Sequence, residues 1–295
     1  MLRPHYPTPV VAVALVLAAW FVTWLGIALQ LDPDATEQSI DPGFLGIAQA
    51  VGFGLVATLA ARRVPAPQAA RLGLGGLALR YLPIVAMAAP FAIVASELDN
   101  WLALAFPGPE SELIDEALAR ARDLTTLAIV QAAIFRIGIE PVVTEFLFRG
   151  VIQQGLVAYL GRPTGVILTA ALSLDLAAAI ATGGSPVSNL VLSMLLGIAL
   201  GYLRIGTGSL LAPILVRATW NAMMLFGLVF AEQFPVSGFN TFNGDHTHPA
   251  LLGACSACVV WASIELIRAL RLQPVVLPIE EEPDPEEDDE SAGFF

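Results

Sequence analysis

The chain has 295 residues, of which 56% are hydrophobic and only 14% are charged. A soluble domain carries about 25% charged residues, so this composition excludes a soluble fold for most of the chain. The formal net charge of −12 belongs largely to one segment, because nine acidic residues lie between Glu280 and Glu290, and we expect no nucleic-acid partner for so acidic a chain.

Eight apolar stretches are long enough to cross a bilayer, since a transmembrane helix needs about 20 mostly apolar residues. The sequence therefore predicts an all-α bundle of about eight transmembrane helices within residues 1–277. The first stretch is too long for the apolar core of a cleaved signal peptide, so we interpret it as a retained helix. The predicted spans lie near Val10–Leu31, Gly43–Ala61, Tyr81–Phe106, Leu124–Phe148, Thr164–Ala181, Val187–Leu203, Ser209–Ala231 and Pro249–Leu270.

The connecting segments indicate the orientation, because basic residues accumulate in loops on the cytoplasmic side of a membrane. Every basic residue here is arginine, and the arginines of the loops and ends fall in alternate connections, except for Arg120 and Arg122 in an acidic outer loop. We therefore expect both termini in the cytoplasm. The arginine-only basic residues and the alanine-rich spans suggest a bacterial chain, so the membrane that we expect is the bacterial cytoplasmic (inner) membrane. The arginines that indicate this orientation are Arg3, Arg62, Arg63, Arg71, Arg162, Arg204, Arg268 and Arg271.

The last 18 residues, 278–295, form a separate acidic segment that is interrupted by proline. Such a composition cannot bury an apolar core, so the sequence predicts a disordered cytoplasmic tail. We favour a solubilising role for this tail. Docking to a basic cytosolic partner is the alternative that stays open.

Few ionisable residues lie inside the predicted spans, and such residues usually mark function or buried pairing. Glu145 and Arg149 are four residues apart, which places them on one helix face. Arg217 and Asn221 are one helical turn apart on the seventh span, and Asp175 lies in the fifth. Their expected depths allow these side chains to meet in one polar pocket that opens towards the cytoplasm.

Two sequence motifs around these residues carry a family resemblance. The segment Pro141–Gly150 is similar to the pattern P-x-x-E-E-x-x-F-R-G, and Gly206–Ile214 with Asn221 is similar to T-G-S-L-x-x-P-I followed by H-x-x-x-N. Over residues 123–230 the chain therefore resembles the CAAX-protease and bacteriocin-processing (CPBP, formerly Abi) family of intramembrane metalloproteases. This family includes the type II CAAX prenyl endopeptidase. The order and spacing of the motifs make the resemblance more specific than one short pattern.

The chain departs from the family motifs at the positions of the metal ligands. Glu145, Arg149 and Asn221 match family positions, but Thr144 replaces the first glutamate and Arg217 replaces the last histidine. The second motif, F-x-x-x-H, aligns its histidine with a position where this chain has alanine. That position is Ala177 or Ala178.

The resemblance implies a glutamate that activates water and histidines that bind zinc. Arginine is not a zinc ligand, because its guanidinium group stays protonated. The three histidines of the chain are His5, His246 and His248, and all lie outside the predicted spans. The sequence therefore predicts a retained scaffold without a metal site, so we expect no cofactor where active relatives would use zinc.

We expect Arg217 to replace the charge of the missing metal by pairing with Asp175 or Glu145. Removing the arginine should then destabilise the bundle by about 3–5 kcal/mol, as for a broken buried ion pair. For Arg136, on the fourth span, Glu140 is the candidate partner because it is four residues away.

Three functions are consistent with these residues. The first is a pseudoprotease that binds hydrophobic or lipidated peptides, or another membrane protein, in the inherited cavity within the lipid bilayer. The second is an active intramembrane endopeptidase, of the CAAX or bacteriocin-processing type, that uses Glu145 as a general base. The third is an ion-coupled transporter, against which the lack of an inverted repeat counts. A purely structural Glu145–Arg149 pair is compatible with the first.

Overall fold

The computed structural model describes residues 5–29, 42–106, 125–174, 185–241 and 245–273. Within these ranges the regular structure is entirely helical. The predicted tail, together with Asp175, Ala177 and Ala178, lies outside the described residues. The helices, labelled in chain order, are α1 Pro9–Ala28, α2 Pro42–Ala61, α3 Gln68–Leu72, α4 Leu79–Ala105, α5 Thr126–Leu160, α6 Arg162–Leu172, α7 Pro186–Thr207, α8 Leu211–Val229 and α9 Pro249–Arg271.

Six helices of the described chain are long and apolar enough to span a membrane. These are α1, α4, α5, α7, α8 and α9, with lengths of 19 to 35 residues and mean hydropathies of 1.4 to 2.4. Side chains of α2 are described from Gly46 onwards, so its described apolar stretch is Gly46–Ala61, and the described part of the predicted fifth span contains only α6, of 11 residues. The predicted all-helical membrane protein is thus confirmed, while the count of eight spans and the orientation stay predictions.

Helix α5 contains two π-helical segments that flank a short α-helical turn. The π-helical segments are Ile134–Ile139 and Phe146–Ile152, and Glu140–Glu145 lies between them. Pro141 has no backbone N–H, and its ring needs space beside the carbonyl group of Ile137. The wider turn of the first π-helical segment gives the ring this space. Glu145 is therefore presented by a helix that is irregular on both sides.

Two apolar clusters hold the helices together. The first joins α1, α2 and α5 through Ala12, Ala19, Phe53, Ala57, Leu147 and Ile152. The second joins α4, α7, α8 and α9 through Tyr81, Ile84, Leu196, Leu200, Ala212 and Ala269. Small residues recur in both clusters, and they allow close approach of helices in a membrane protein.

The segment that matches the T-G-S-L pattern forms the turn between α7 and α8. Gly208 ends α7 with a positive φ of 70°, a backbone conformation that glycine adopts without steric cost. The hydroxyl oxygen of Ser209 accepts a hydrogen bond from the backbone N–H of Leu211, and the hydroxyl donates to the carbonyl oxygen of Gly75. This turn fixes where α8 starts and so sets the position of Arg217 relative to α5.

Candidate functional site

A polar cavity of about 200 Å³ lies between α1, α2, α5, α7 and α8. Arginine, glutamate, serine, threonine and amide side chains make up much of its wall. Trp20, Phe53, Phe148 and Trp220 provide aromatic surfaces in the same wall. The polar residues that line it are Gln49, Arg136, Glu140, Thr144, Ser173, Ser193, Arg217 and Asn221.

Glu145 and Arg149 form a fully buried ion pair beside this cavity. Nε of Arg149 lies 3.1 Å from Oε2 of Glu145, and neither side chain is exposed to solvent. The second terminal nitrogen of Arg149, Nη2, donates to the carbonyl oxygen of Gly197 on α7 at 3.0 Å and to Oγ of Ser173 at 3.5 Å. Arg149 therefore neutralises Glu145 and also ties α5 to two neighbouring helices.

Arg217 contacts the same carboxylate from α8. Its Nη1 lies 3.3 Å from Oε1 of Glu145, and its Nε lies 3.9 Å from Oε1 of Glu140. The expected contact between Arg217 and a carboxylate is therefore present, and the carboxylate is that of Glu145. Asp175, the other candidate partner, is outside the described residues. Glu145 is thus held between two guanidinium groups from two helices.

The network continues along α5 to Arg136. Nη1 of Arg136 lies 3.2 Å from Oε2 of Glu140, which confirms the predicted pair, although the arginine side chain is 60% exposed. Asn221 donates from Nδ2 to the carbonyl oxygen of Arg136 at 2.6 Å, and Thr144 donates from Oγ1 to the carbonyl oxygen of Glu140 at 2.7 Å. Both motif side chains therefore bind the backbone of α5.

The described network alternates in charge from the buried end to the exposed end. Its order is Arg149, Glu145, Arg217, Glu140 and Arg136. A buried carboxylate without a partner costs several kcal/mol in a low-dielectric bundle, and this alternation avoids that cost. The arrangement is suited to holding the two carboxylates in place.

The described side chains at this site do not fit a zinc ion. Within the described ranges, no group of three or more His, Cys, Asp or Glu side chains is placed to bind a metal. The two carboxylates, Glu140 and Glu145, are each paired with arginine, and guanidinium groups offer no lone pair to a metal. The expectation of a protein without a cofactor stays a prediction.

The sequence predicts that Glu145, Arg149, Arg217 and Asn221 lie close together, and the structure places all four in or beside the wall of the polar cavity. The sequence does not predict that Glu140 links Arg217 to Arg136. The spacing of Arg136 and Glu140 suggested their own pairing, but no sequence signal indicated the second partner. The hydrogen bond from Arg149 to the carbonyl oxygen of Gly197 is not predictable either, because every residue type has a backbone carbonyl group.

One comparison with known proteins finds a match. Residues 126–223 match the family model described as type II CAAX prenyl endopeptidase Rce1-like. Comparison with curated proteins and with solved structures finds no match. The matched segment starts with α5 and ends within α8, so it contains the whole ion-pair network. The predicted resemblance is confirmed over this segment.

Proposed function

We propose that this CAAX-protease-like membrane protein has lost metal-dependent peptidase activity and binds its ligands without cleaving them. The observation that carries the proposal is the position of Glu145 between Arg149 and Arg217. The ligands would be hydrophobic or lipidated peptides, or another membrane protein, in the bilayer of a bacterial cytoplasmic membrane. The active endopeptidase and the ion-coupled transporter remain the alternatives.

The burial of Glu145 argues against a role as general base. A general base must come within hydrogen-bonding distance of the water that it deprotonates. Glu145 is 0% exposed and does not line the polar cavity, and each of its carboxylate oxygens faces a guanidinium group. The carboxylate that does line the cavity, Glu140, is paired with Arg136 and Arg217. Neither group is placed as an unpaired base.

The position of Arg217 in the family motif also supports the proposal. The family resemblance places a metal-binding histidine at this position, and a permanently protonated guanidinium provides positive charge there without a metal. Its contact with Glu145 lets the bundle keep a buried carboxylate. The charge of the site is thus balanced by protein side chains.

The cavity wall supports a role in binding. Ligand sites combine apolar and aromatic surface with a few polar groups that set orientation. Trp20, Phe148 and Trp220 give this cavity aromatic surface, and Arg136 is the member of the network with the most exposed side chain. A peptide with an apolar side chain and a free carboxylate has the matching chemistry.

Metal analysis combined with a cleavage assay tests this proposal. The protein, purified without chelators, is analysed for zinc and incubated with a farnesylated CAAX peptide. We expect well below one zinc per chain and no cleavage product. Arg217→His is expected to restore no cleavage. Glu265→Gln, on the remote α9, serves as the matched control for Glu145→Gln.

An active metallopeptidase would give different results in the same measurements. One zinc per chain that disappears in Glu145→Gln but persists in Glu265→Gln would overturn the proposal, as would peptide cleavage with the same dependence. Binding of the peptide without cleavage, measured by fluorescence anisotropy, is the positive outcome. Loss of this binding in Arg136→Gln would connect the ligand to the cavity.

A further inference from the structure

A second cavity, of about 310 Å³, lies where the N-terminal segment meets α3 and the ends of α5, α7 and α9. We call it the arginine cavity. Four arginines line it, and no carboxylate does so among the residues that the structure describes. The arginines are Arg71, Arg149, Arg162 and Arg204. Glu145 neutralises Arg149, so the positive charge of the cavity comes from the other three arginines.

Arg204 is fixed in the wall of this cavity. It is only 9% exposed, and its Nη2 donates to the carbonyl oxygen of Arg71 at 3.0 Å. Its guanidinium lies directly against Gly73, where an added Cβ would be 2.3 Å from Cζ of the arginine. In the described part of the chain its Nε has no hydrogen-bond partner. A buried cation of this kind is stabilised by an anion in the cavity.

His5 reports the same positive environment. Its ring Nδ1 lies 3.4 Å from Nη1 of Arg71 and the residue also lines the cavity. Burial, and secondly the positive charge of Arg71, lower the pKa of His5 below its ordinary value. A neighbouring anion would act in the opposite direction.

The C-terminal end of the described chain lies at this cavity. Gln273 lines the cavity, and its Nε2 donates to the carbonyl oxygen of Gly206 at 3.2 Å. The nine acidic residues of Glu280–Glu290 begin seven residues further along the chain. Seven extended residues reach at most about 25 Å. A tether this short keeps the acidic residues at millimolar effective concentration near the arginines.

We propose that the acidic segment Glu280–Glu290 binds the arginine cavity of its own chain. Carboxylates accept two parallel hydrogen bonds from a guanidinium group, so the charge and the hydrogen-bonding geometry are complementary. The inference does not depend on the proposed function. It does not depend on the membrane orientation either, because Gln273 lines the cavity and the tail therefore starts on the same side of the membrane. It differs from the solubilising role that the sequence alone favours for this segment. Arg149, which forms part of this cavity, connects it to Glu145.

A competition experiment on the full-length chain tests the inference. A fluorescent peptide with the sequence of residues 278–295 is titrated into two proteins at low ionic strength. One is the natural chain, and the other has the nine acids of its own tail replaced by glutamine or asparagine. We expect binding to the neutralised chain that is at least tenfold tighter than to the natural chain, and weakening of this binding as salt is added.

Arginine variants of the neutralised chain locate the binding surface. Arg71→Gln with Arg162→Gln is expected to weaken peptide binding at least tenfold. Arg62→Gln with Arg63→Gln removes the same charge from two exposed arginines that directly follow α2, and it is expected to change binding less than twofold. Unchanged thermal unfolding in both pairs would show that the effect is not a loss of fold.

Three results would overturn the inference. Equal peptide affinity for the natural and the neutralised chain would show that the tail does not occupy the cavity. Equal weakening by the two arginine pairs would show non-specific charge attraction. The third result concerns phosphatidylglycerol that stays bound to the purified natural chain. If this lipid is lost with Arg71→Gln and Arg162→Gln but not when the tail is neutralised, the cavity binds a lipid headgroup.

Discussion

Replacement of Arg217 by alanine measures what the second guanidinium group contributes to the site. At 3.3 Å and an effective dielectric constant of about 20, its attraction to Glu145 is about 5 kcal/mol, most of which offsets desolvation. Arg149 remains paired with Glu145 in the variant. A buried charge left without a partner would lower the free energy of unfolding by about 3–5 kcal/mol. Because Glu145 keeps one partner, we expect Arg217→Ala to lower it by about 1–3 kcal/mol instead.

Reversible unfolding in mixed micelles provides the assay for this expectation. Arg149→Ala serves as the upper reference, at about 3–5 kcal/mol, because it removes the fully buried partner of Glu145. Arg136→Ala serves as the lower reference, below about 1 kcal/mol, because its side chain is 60% exposed. An Arg217→Ala protein as stable as the natural chain, or one less stable than Arg149→Ala, would refute the reasoning.

Four further outcomes are expected. Gly197→Ala should destabilise the bundle by about 1–3 kcal/mol in the same assay, because a Cβ there would lie 2.9 Å from a neighbouring methyl group. In the chain with the neutralised tail, the pKa of His5 lies below its ordinary value, so protonating His5 favours unfolding. The free energy of unfolding should therefore decrease as the pH falls below about 6.5, and less steeply when His5→Gln is added. The pKa of His5, followed by NMR, should rise in Arg71→Gln. A reporter after Gln273 should be cytoplasmic and one near Asp245 external; both on one side would refute the predicted orientation.

The charged site was largely predictable because it follows from local spacing. Glu145 and Arg149 share a helix face by their separation alone, and Arg136 and Glu140 have the same separation. A charged residue inside an apolar span needs a partner, so the sequence alone is enough to predict a carboxylate contact for Arg217. The choice between Glu145 and Asp175 as its partner was open, because it depends on how α5, α6 and α8 pack.

The arginine cavity could not be predicted, because its residues are far apart in sequence. In the sequence, Arg71, Arg162 and Arg204 are loop residues that indicate orientation, and this says nothing about the distances between them. Their convergence depends on Gly73, which leaves space for the guanidinium of Arg204, and on the packing of the helix ends. A glycine that accommodates a distant side chain has no distinct signal in one sequence.

The π-helical segments of α5 determine the direction in which the side chains that follow them point. Each residue of an α-helix turns the chain by about 100°, so one residue added or removed rotates everything beyond it by that angle. Ile134–Ile139 precedes Glu140 and Glu145, and it therefore determines which neighbour these carboxylates face. A deletion of one residue there other than Arg136 would keep every charged side chain and yet turn both carboxylates away from Arg217. Insertions and deletions in this segment are therefore as consequential as substitutions of the charged residues themselves.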